Sequence, residues 1–175
     1  VVVCSLHTVA FQTPSNMALR AKQIGRTMTF LRSIDANGYF LMGDLNIHYL
    51  AEDVVLGSNE LLDCWSATHF GTGRDVDPGF TFDALGNRMI PRYIPGEVRR
   101  MRLDRIRCSE GTRFVPLRPC ALWGHTPVDA ARDTYLSDHY GLVIDLTAVS
   151  GGEFPRDASV RAILDANSQV DLEPY

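Results

Sequence analysis

The sequence predicts an α/β (α+β) domain built of stacked layers, and three observations carry that expectation. Apolar, β-branched runs surround one long helical segment, in the order strand, helix, strand, loops, strand, strand. The strands are continuous apolar runs more than apolar–polar alternations, so their sheet is expected to be covered on both faces. The 175 residues, 45% hydrophobic and 22% charged, suffice for one domain with a real core.

Val1 to Leu6 is apolar and β-branched and reads as a buried first strand. Residues 16 to 34 predict a helix: Asn16 is the expected N-cap, and Leu19, Gln23, Met28, Leu31 and Ile34 roughly follow the 3.6-residue period. Asn37–Gly38 ends it, and Tyr39 to Met42 is the next buried strand. Residues 58 to 64 predict a short helix capped by Ser58. Residues 71 to 100 hold much of the glycine and proline, an irregular region of the kind that carries function, with Phe80–Thr81–Phe82 as a short strand inside it. Met101 to Cys108 and Gly141 to Ala148 read as strands. The domain is expected to occupy residues 1–148. A hinge and tail follow over 149–175, with Gly151–Gly152 as the hinge and one small helix at 157–166.

The net charge is −4, which disfavours a protein gripping nucleic acid over its whole surface. A local basic run does exist at Arg99, Arg100, Arg102, Arg105 and Arg107, readable as a nucleic-acid contact or as a solvated face. The four cysteines (Cys4, Cys64, Cys108, Cys120) are scattered without zinc spacing, the pattern of reduced thiols in an intracellular protein, nuclear or cytoplasmic. No apolar stretch approaches the roughly 20 residues that span a bilayer.

Titratable residues cluster at strand ends. Asp44 and Asn46 lie two apart behind the Tyr39 strand and so point to one side. The same pair also builds ordinary turns. His7 ends the first strand, Asp104 lies within Arg102–Leu103–Asp104–Arg105–Ile106, and Asp138–His139 precede the last strand. Singly, these are a core-edge histidine, half of a surface ion pair and a turn aspartate. Together they form a chemical kit. A carboxylate can hold a histidine in one tautomer, a second carboxylate can act on water, and a second histidine and an amide can hold phosphate oxygens. Acidic ligands without cysteine suit Mg²⁺ better than zinc.

The set SLH at 5–7, LMGDLN at 41–46, RLDRI at 102–106 and LSDHYGL at 136–142, in this order, resembles the endonuclease/exonuclease/phosphatase family from Val1 to about Leu146. Gly79–Phe80–Thr81–Phe82–Asp83 with Asn87, and Leu61–Leu62–Asp63–Cys64–Trp65, resemble its 5′-tyrosyl-DNA phosphodiesterase branch. Phe82 stands where that branch often has Trp, Leu136 where it has Pro, and Thr8–Val9 where it has Glu-Ser.

The resemblance implies a four-layer α/β/β/α sandwich and Mg²⁺- (or Mn²⁺-) dependent phosphodiester hydrolysis. Asp44 would act on the attacking water, Asn46 and His7 would hold phosphate oxygens, and His139 would stabilise the transition state. Asp104 would orient His139, and Asp138 would lie near the metal. Arg102 is the expected phosphate contact, and Thr81, Phe82 and Trp65 the expected substrate surface, with Phe80, Phe82 and Trp65 readable also as core aromatics. The expected partner is nucleic acid, above all 5′-tyrosyl ends, or another phosphodiester substrate. The alternatives are a sphingomyelinase-like, nucleotide or inositol-phosphate phosphatase activity, or a catalytically dead binding domain. The family's N-terminal metal ligands, an asparagine and a glutamate, have no counterpart here, and His48 and Glu52 cannot replace them. The chain therefore reads as the later part of such a domain. It is expected to need a missing N-terminal half, from another piece of the same chain or from a neighbouring copy, to expose an apolar face without it, to hold no Mg²⁺ tightly, and to be active in the full-length form but inactive as these 175 residues alone.

Overall fold

The computed structural model describes residues 1–49, 52–53, 61–69, 78–109 and 112–148. The expected Gly151–Gly152 hinge and 157–166 helix, and residues 58–60 and 71–77, lie outside the described residues.

The central sheet has the order β1-β2-β6-β3. Strand β1 (Val2–Ser5) runs parallel to β2 (Tyr39–Asp44), with Cys4 opposite Leu41. Strand β6 (Asp104–Ser109) is antiparallel to both β2 and β3 (Leu61–Asp63). Helix α1 (Pro14–Arg32) covers one face. Its Ile24, Met28 and Leu31 pack against Leu41, Leu45, Ile47 and Leu61. On the other face Phe40, Ile106 and Cys108 meet Cys64, Trp65 and Cys120, with Leu122, Leu142, Ile144 and Leu146 around them. Phe40 and Leu41 are thus buried on opposite sides of one strand, which is why the sequence shows a run and not an alternation.

The second layer consists of two-stranded ribbons. Strand β7 (Phe114–Pro116) pairs with β10 (Leu146–Ala148), and β8 (Ala121–Trp123) with β9 (Gly141–Val143). A third ribbon joins β4 (Phe82–Asp83) to β5 (Arg100–Met101), with the short helix α3 (Met89–Tyr93) between them. Helix α2 (Cys64–His69) follows β3, and a 3-10 turn spans Ala130–Arg132. The α+β class holds. The described residues supply three of the four expected layers: helix, sheet and ribbons.

Several element boundaries differ from expectation for identifiable reasons. Thr13, not Asn16, caps α1: its Oγ1 accepts from Asn16 N at 3.2 Å, and Pro14 takes a first-turn position that needs no N–H donor. Asn16 instead donates from Nδ2 to Ala10 O at 2.8 Å. Residues 61–63, expected to be helical, form β3. Leu61 and Leu62 find apolar partners on opposite faces of the sheet, and this two-sided burial overrides helix propensity. The expected 101–108 strand breaks at Arg102–Leu103, where the N–H groups of Leu103 and Asp104 both turn to Thr81 Oγ1 at 3.1 Å. The expected 141–148 strand breaks at Ile144–Asp145, and its halves join different ribbons. The expected Phe80–Phe82 strand is displaced to Phe82–Asp83.

Candidate active site

The end of β2 decides the geometry. Gly43 has φ +124°, and a Cβ there would lie 2.4 Å from Leu6 O, so only glycine lets β1 pass this close. The β1 chain continues alongside: Leu6 N donates to Met42 O at 2.8 Å and Thr8 N to Asp44 O at 3.0 Å. His7 is thereby carried to Asp44, with Nε2 3.5 Å from Asp44 Oδ2. Asp44 Oδ1 accepts from Asn46 N at 2.9 Å, an Asx turn that sets Asn46 in the left-handed region (φ 48°), which asparagine tolerates. The Asn46 amide, buried, donates to Thr8 O at 3.1 Å, and Thr8 Oγ1 donates to Leu45 O at 2.6 Å. The turn and site readings of Asp44–Leu45–Asn46 are therefore one arrangement. The turn hydrogen bonds hold the chemical groups.

Across the ladder, Asp104 is the direct partner of Asp44. Asp104 Oδ2 lies 2.8 Å from His139 Nδ1, which donates, leaving Nε2 as the imidazole's working atom. The His139 loop is pinned from three sides. Asn87 Nδ2 donates to Ser137 O at 2.8 Å, Tyr140 N donates to Thr81 O at 2.7 Å, and the Phe82 ring meets the imidazole edge-on at 5.4 Å. Asp138, exposed, accepts from Ser137 Oγ at 3.2 Å.

Burial of His139 works to lower its pKa. The Asp104 hydrogen bond and the charges of Asp104, Asp44 and Asp138 outweigh it, so the imidazole titrates above its ordinary value. Asp44, Asp104, Asp138 and His139 share one neighbourhood: Asp104 bonds the ring, Asp44 stands opposite Asp104 on the ladder, and Asp138 precedes His139 in the chain. His7 and Asn46 join it through Asp44.

The expected substrate surface is placed differently. Trp65 is 4% exposed, with His69 stacked on the indole at 4.1 Å and Gly79 packed so tightly that a Cβ there would lie 2.4 Å from the ring. It is a core aromatic and offers no base platform. Thr81 is fully buried and ties β4, the β5–β6 junction and the His139 loop together. Phe82, also buried, packs with Ala84, Ile90 and Leu103 and touches His139, so it supports the site rather than facing solvent. Arg102, expected on phosphate, is engaged by Asp63: its Nη1 donates to both carboxylate oxygens, Oδ1 at 2.8 Å and Oδ2 at 2.9 Å.

The rest of the basic run is likewise engaged. Arg105 and Arg107, each 4% exposed, face Asp53 and Asp63, while Arg100 pairs with Asp83 and Arg99 with Glu97. Burial pulls the Arg105 guanidinium down to about 10, still charged at neutral pH. Glu52 accepts from Arg20 and from His48 N, and burial lowers the His48 pKa. Among the described residues, no cluster of three or more His, Cys, Asp or Glu side chains is arranged to hold a metal ion.

Sequence reasoning named Thr8, Asn87 and Glu52 but gave them no supporting role, and it missed Arg20. One signal was available. Arg20 shares the helical spacing of Ile24, Met28 and Leu31, and an arginine inside an apolar stripe needs a buried partner.

The central sheet, the helix on one face, the ribbons on the other and a site at the strand ends define the endonuclease/exonuclease/phosphatase fold, and the chain has that fold. It is similar to TDP2 from D. rerio complexed with a single-strand DNA product (21% identity, TM-score 0.65, 83% of this chain and 56% of that chain). It is also similar to an endonuclease/exonuclease/phosphatase family protein from Bacteroides thetaiotaomicron (17%, 0.56, 88% and 51%). A third similar structure is mannosyl-6-phosphatase Bt3783 from the same organism (17%, 0.53, 83% and 50%). The chain spans about half the length of these structures. No protein-family profile matches it, and a sequence comparison with curated proteins finds no match. Among the described residues, no helix is long and apolar enough to cross a membrane.

Proposed function

We propose that this chain carries the hydrolytic centre of a phosphodiesterase acting on nucleic-acid ends, 5′-tyrosyl-DNA adducts foremost. The observation that carries the proposal is the Asp104–His139 pair at 2.8 Å, set across the ladder from Asp44 and beside Asn46 and His7. Attack by water on a phosphodiester builds negative charge on the equatorial oxygens. His139, whose protonated form the Asp104 carboxylate favours, directs its other ring nitrogen there as an N–H donor when charged. The second N–H of the Asn46 amide and the His7 ring add further donors. Asp44 orients the water and takes its proton.

Mg²⁺ (or Mn²⁺) remains part of the proposal. Mg²⁺ is commonly bound through one or two carboxylates plus substrate phosphate, and Asp138 is the candidate ligand. The described residues do not form a closed cage, so the steps above are assigned to the chain's own groups. Bound there, the ion would neutralise charge on the leaving side.

The similarity to a TDP2 structure holding a single-strand DNA product supports a nucleic-acid substrate. The similarity to a mannosyl-6-phosphatase keeps a phosphatase as the second reading. A panel of 5′-phosphotyrosyl oligonucleotide, sphingomyelin, sugar phosphate and inositol phosphate, with Mg²⁺ or Mn²⁺ present, separates them. With the N-terminal half that the resemblance implies restored, the oligonucleotide is expected to be cleaved. His139→Ala is expected to lower kcat by about 100-fold or more with little change in stability. A loss below tenfold would remove His139 from the chemistry, and no turnover on any substrate would leave a binding domain.

A further inference from the structure

Phe11 is 74% exposed and holds φ 71°, an uncommon and strained state for a bulky side chain. Neither core burial nor an intrinsic preference accounts for it, yet the surrounding structure enforces it. Arg20, 1% exposed, donates from Nη1 to Val9 O at 3.1 Å and to Phe11 O at 2.7 Å. The same guanidinium pairs with Glu52 through Nε at 2.8 Å and Nη2 at 2.7 Å, and Glu52 Oε2 accepts from His48 N at 3.2 Å. A buried ion pair thus clamps the Phe11 backbone to the segment that follows Asn46. Upstream, Thr8 is fixed to Asp44, Leu45 and Asn46. Downstream, Gln12 Nε2 lies 3.1 Å from His48 Nδ1, and its Oε1 accepts from Tyr49 OH at 3.4 Å, with Tyr49 46% exposed. Two exposed aromatic rings therefore stand on loops anchored to the two catalytic strand ends, β1 and β2.

We propose that Phe11 is a substrate contact whose ring stacks on a nucleobase adjoining the scissile phosphate, with Tyr49 flanking it. The proposal rests on the nucleic-acid reading above. Stacking suits an isolated rigid ring, because every base offers a π-face. Insertion into a lipid surface needs a contiguous apolar face, whereas Phe11 is followed by Gln12, Thr13, Pro14, Ser15 and Asn16.

The test uses this chain with the implied N-terminal half restored, Mg²⁺, and 5′-phosphotyrosyl oligonucleotides carrying 2-aminopurine or an abasic sugar at the terminal position. Phe11→Asn keeps a residue that accepts the left-handed backbone and removes the ring. It is expected to raise KM on the base-bearing substrate by about 5- to 150-fold, the equivalent of roughly 1–3 kcal/mol for one stacked base at 1.36 kcal/mol per tenfold. Affinity for the abasic substrate is expected to be unchanged, quenching of 2-aminopurine to be lost, and Tm to rise by about 2–4 °C as strain is relieved. Phe11→Trp is expected to restore binding. Equal losses on both substrates, or no loss on either, would overturn the contact. So would a Phe11→Asn variant that loses only co-sedimentation with sphingomyelin vesicles. Wild-type quenching without hydrolysis would support the contact while sinking the phosphodiesterase reading.

Discussion

With Asp104 Oδ2 2.8 Å from His139 Nδ1, the protonated imidazole is favoured over the neutral one, and the consequence is a pH dependence of defined sign. A histidine whose folded pKa is raised contributes stability that is fully present below its unfolded value of about 6.5 and is lost as pH rises through the folded value. Asp104→Asn removes the charge and keeps an acceptor. It is expected to destabilise more at pH 6 than at pH 9 by urea titration, and to shift the alkaline limb of the activity profile to lower pH. An unshifted limb would detach Asp104 from His139 ionisation. Asp44, Asn46, Asp104, Asp138 and His139 were legible in the sequence because each sits at a strand terminus within a short motif. Trp65 and Arg102 were not. What disarms them comes from chain neighbours that spacing does not disclose: Gly79 against the indole, and Asp63 on the guanidinium.

At the scale of elements, Gly43 lets β1 and β2 run parallel with Leu6 O against the glycine's Cα. Gly43→Ala is expected to cost roughly 3 kcal/mol or more, through both its φ and the overlap, read as a fall in the urea midpoint. A change below about 1 kcal/mol would show that β1 can move aside, and activity would then report whether His7 follows. The existence of β1, α1 and β2 followed from apolar runs and helical spacing. The breaks at Arg102–Leu103 and Ile144–Asp145 did not. The residues there are as β-prone as their neighbours, and the break is decided by where Thr81 Oγ1 and the partner strands lie.

Across the molecule, apolar side chains remain in water on the ribbon side. Val3 on the edge strand β1 and Val1 just before it are 59% and 54% exposed, and Trp123 and Leu136 are 54% and 57% exposed. Unpaired edges and exposed apolar groups favour association. Sedimentation of this chain is expected to show concentration-dependent self-association, reduced by Val3→Lys on the edge strand. A monomer at all concentrations would show that these groups are tolerated. Calorimetric titration with Mg²⁺ is expected to give no micromolar binding, since the described carboxylates form no cluster for it. A micromolar isotherm would show ligands supplied from outside the described residues.

The pairing of Asp44 with Asp104 has a kinetic consequence. The two residues are distant in sequence and adjacent only through the antiparallel ladder, so no local loop conformation can set their separation. A one-residue slip would turn every side chain of the strand to the opposite face. During refolding, α1 can form early from local contacts. The carboxylate pair exists only in molecules whose long-range ladder has closed in register, a slower event. Regain of the proposed hydrolysis should therefore trail regain of helical circular dichroism and follow the rate-limiting phase alone.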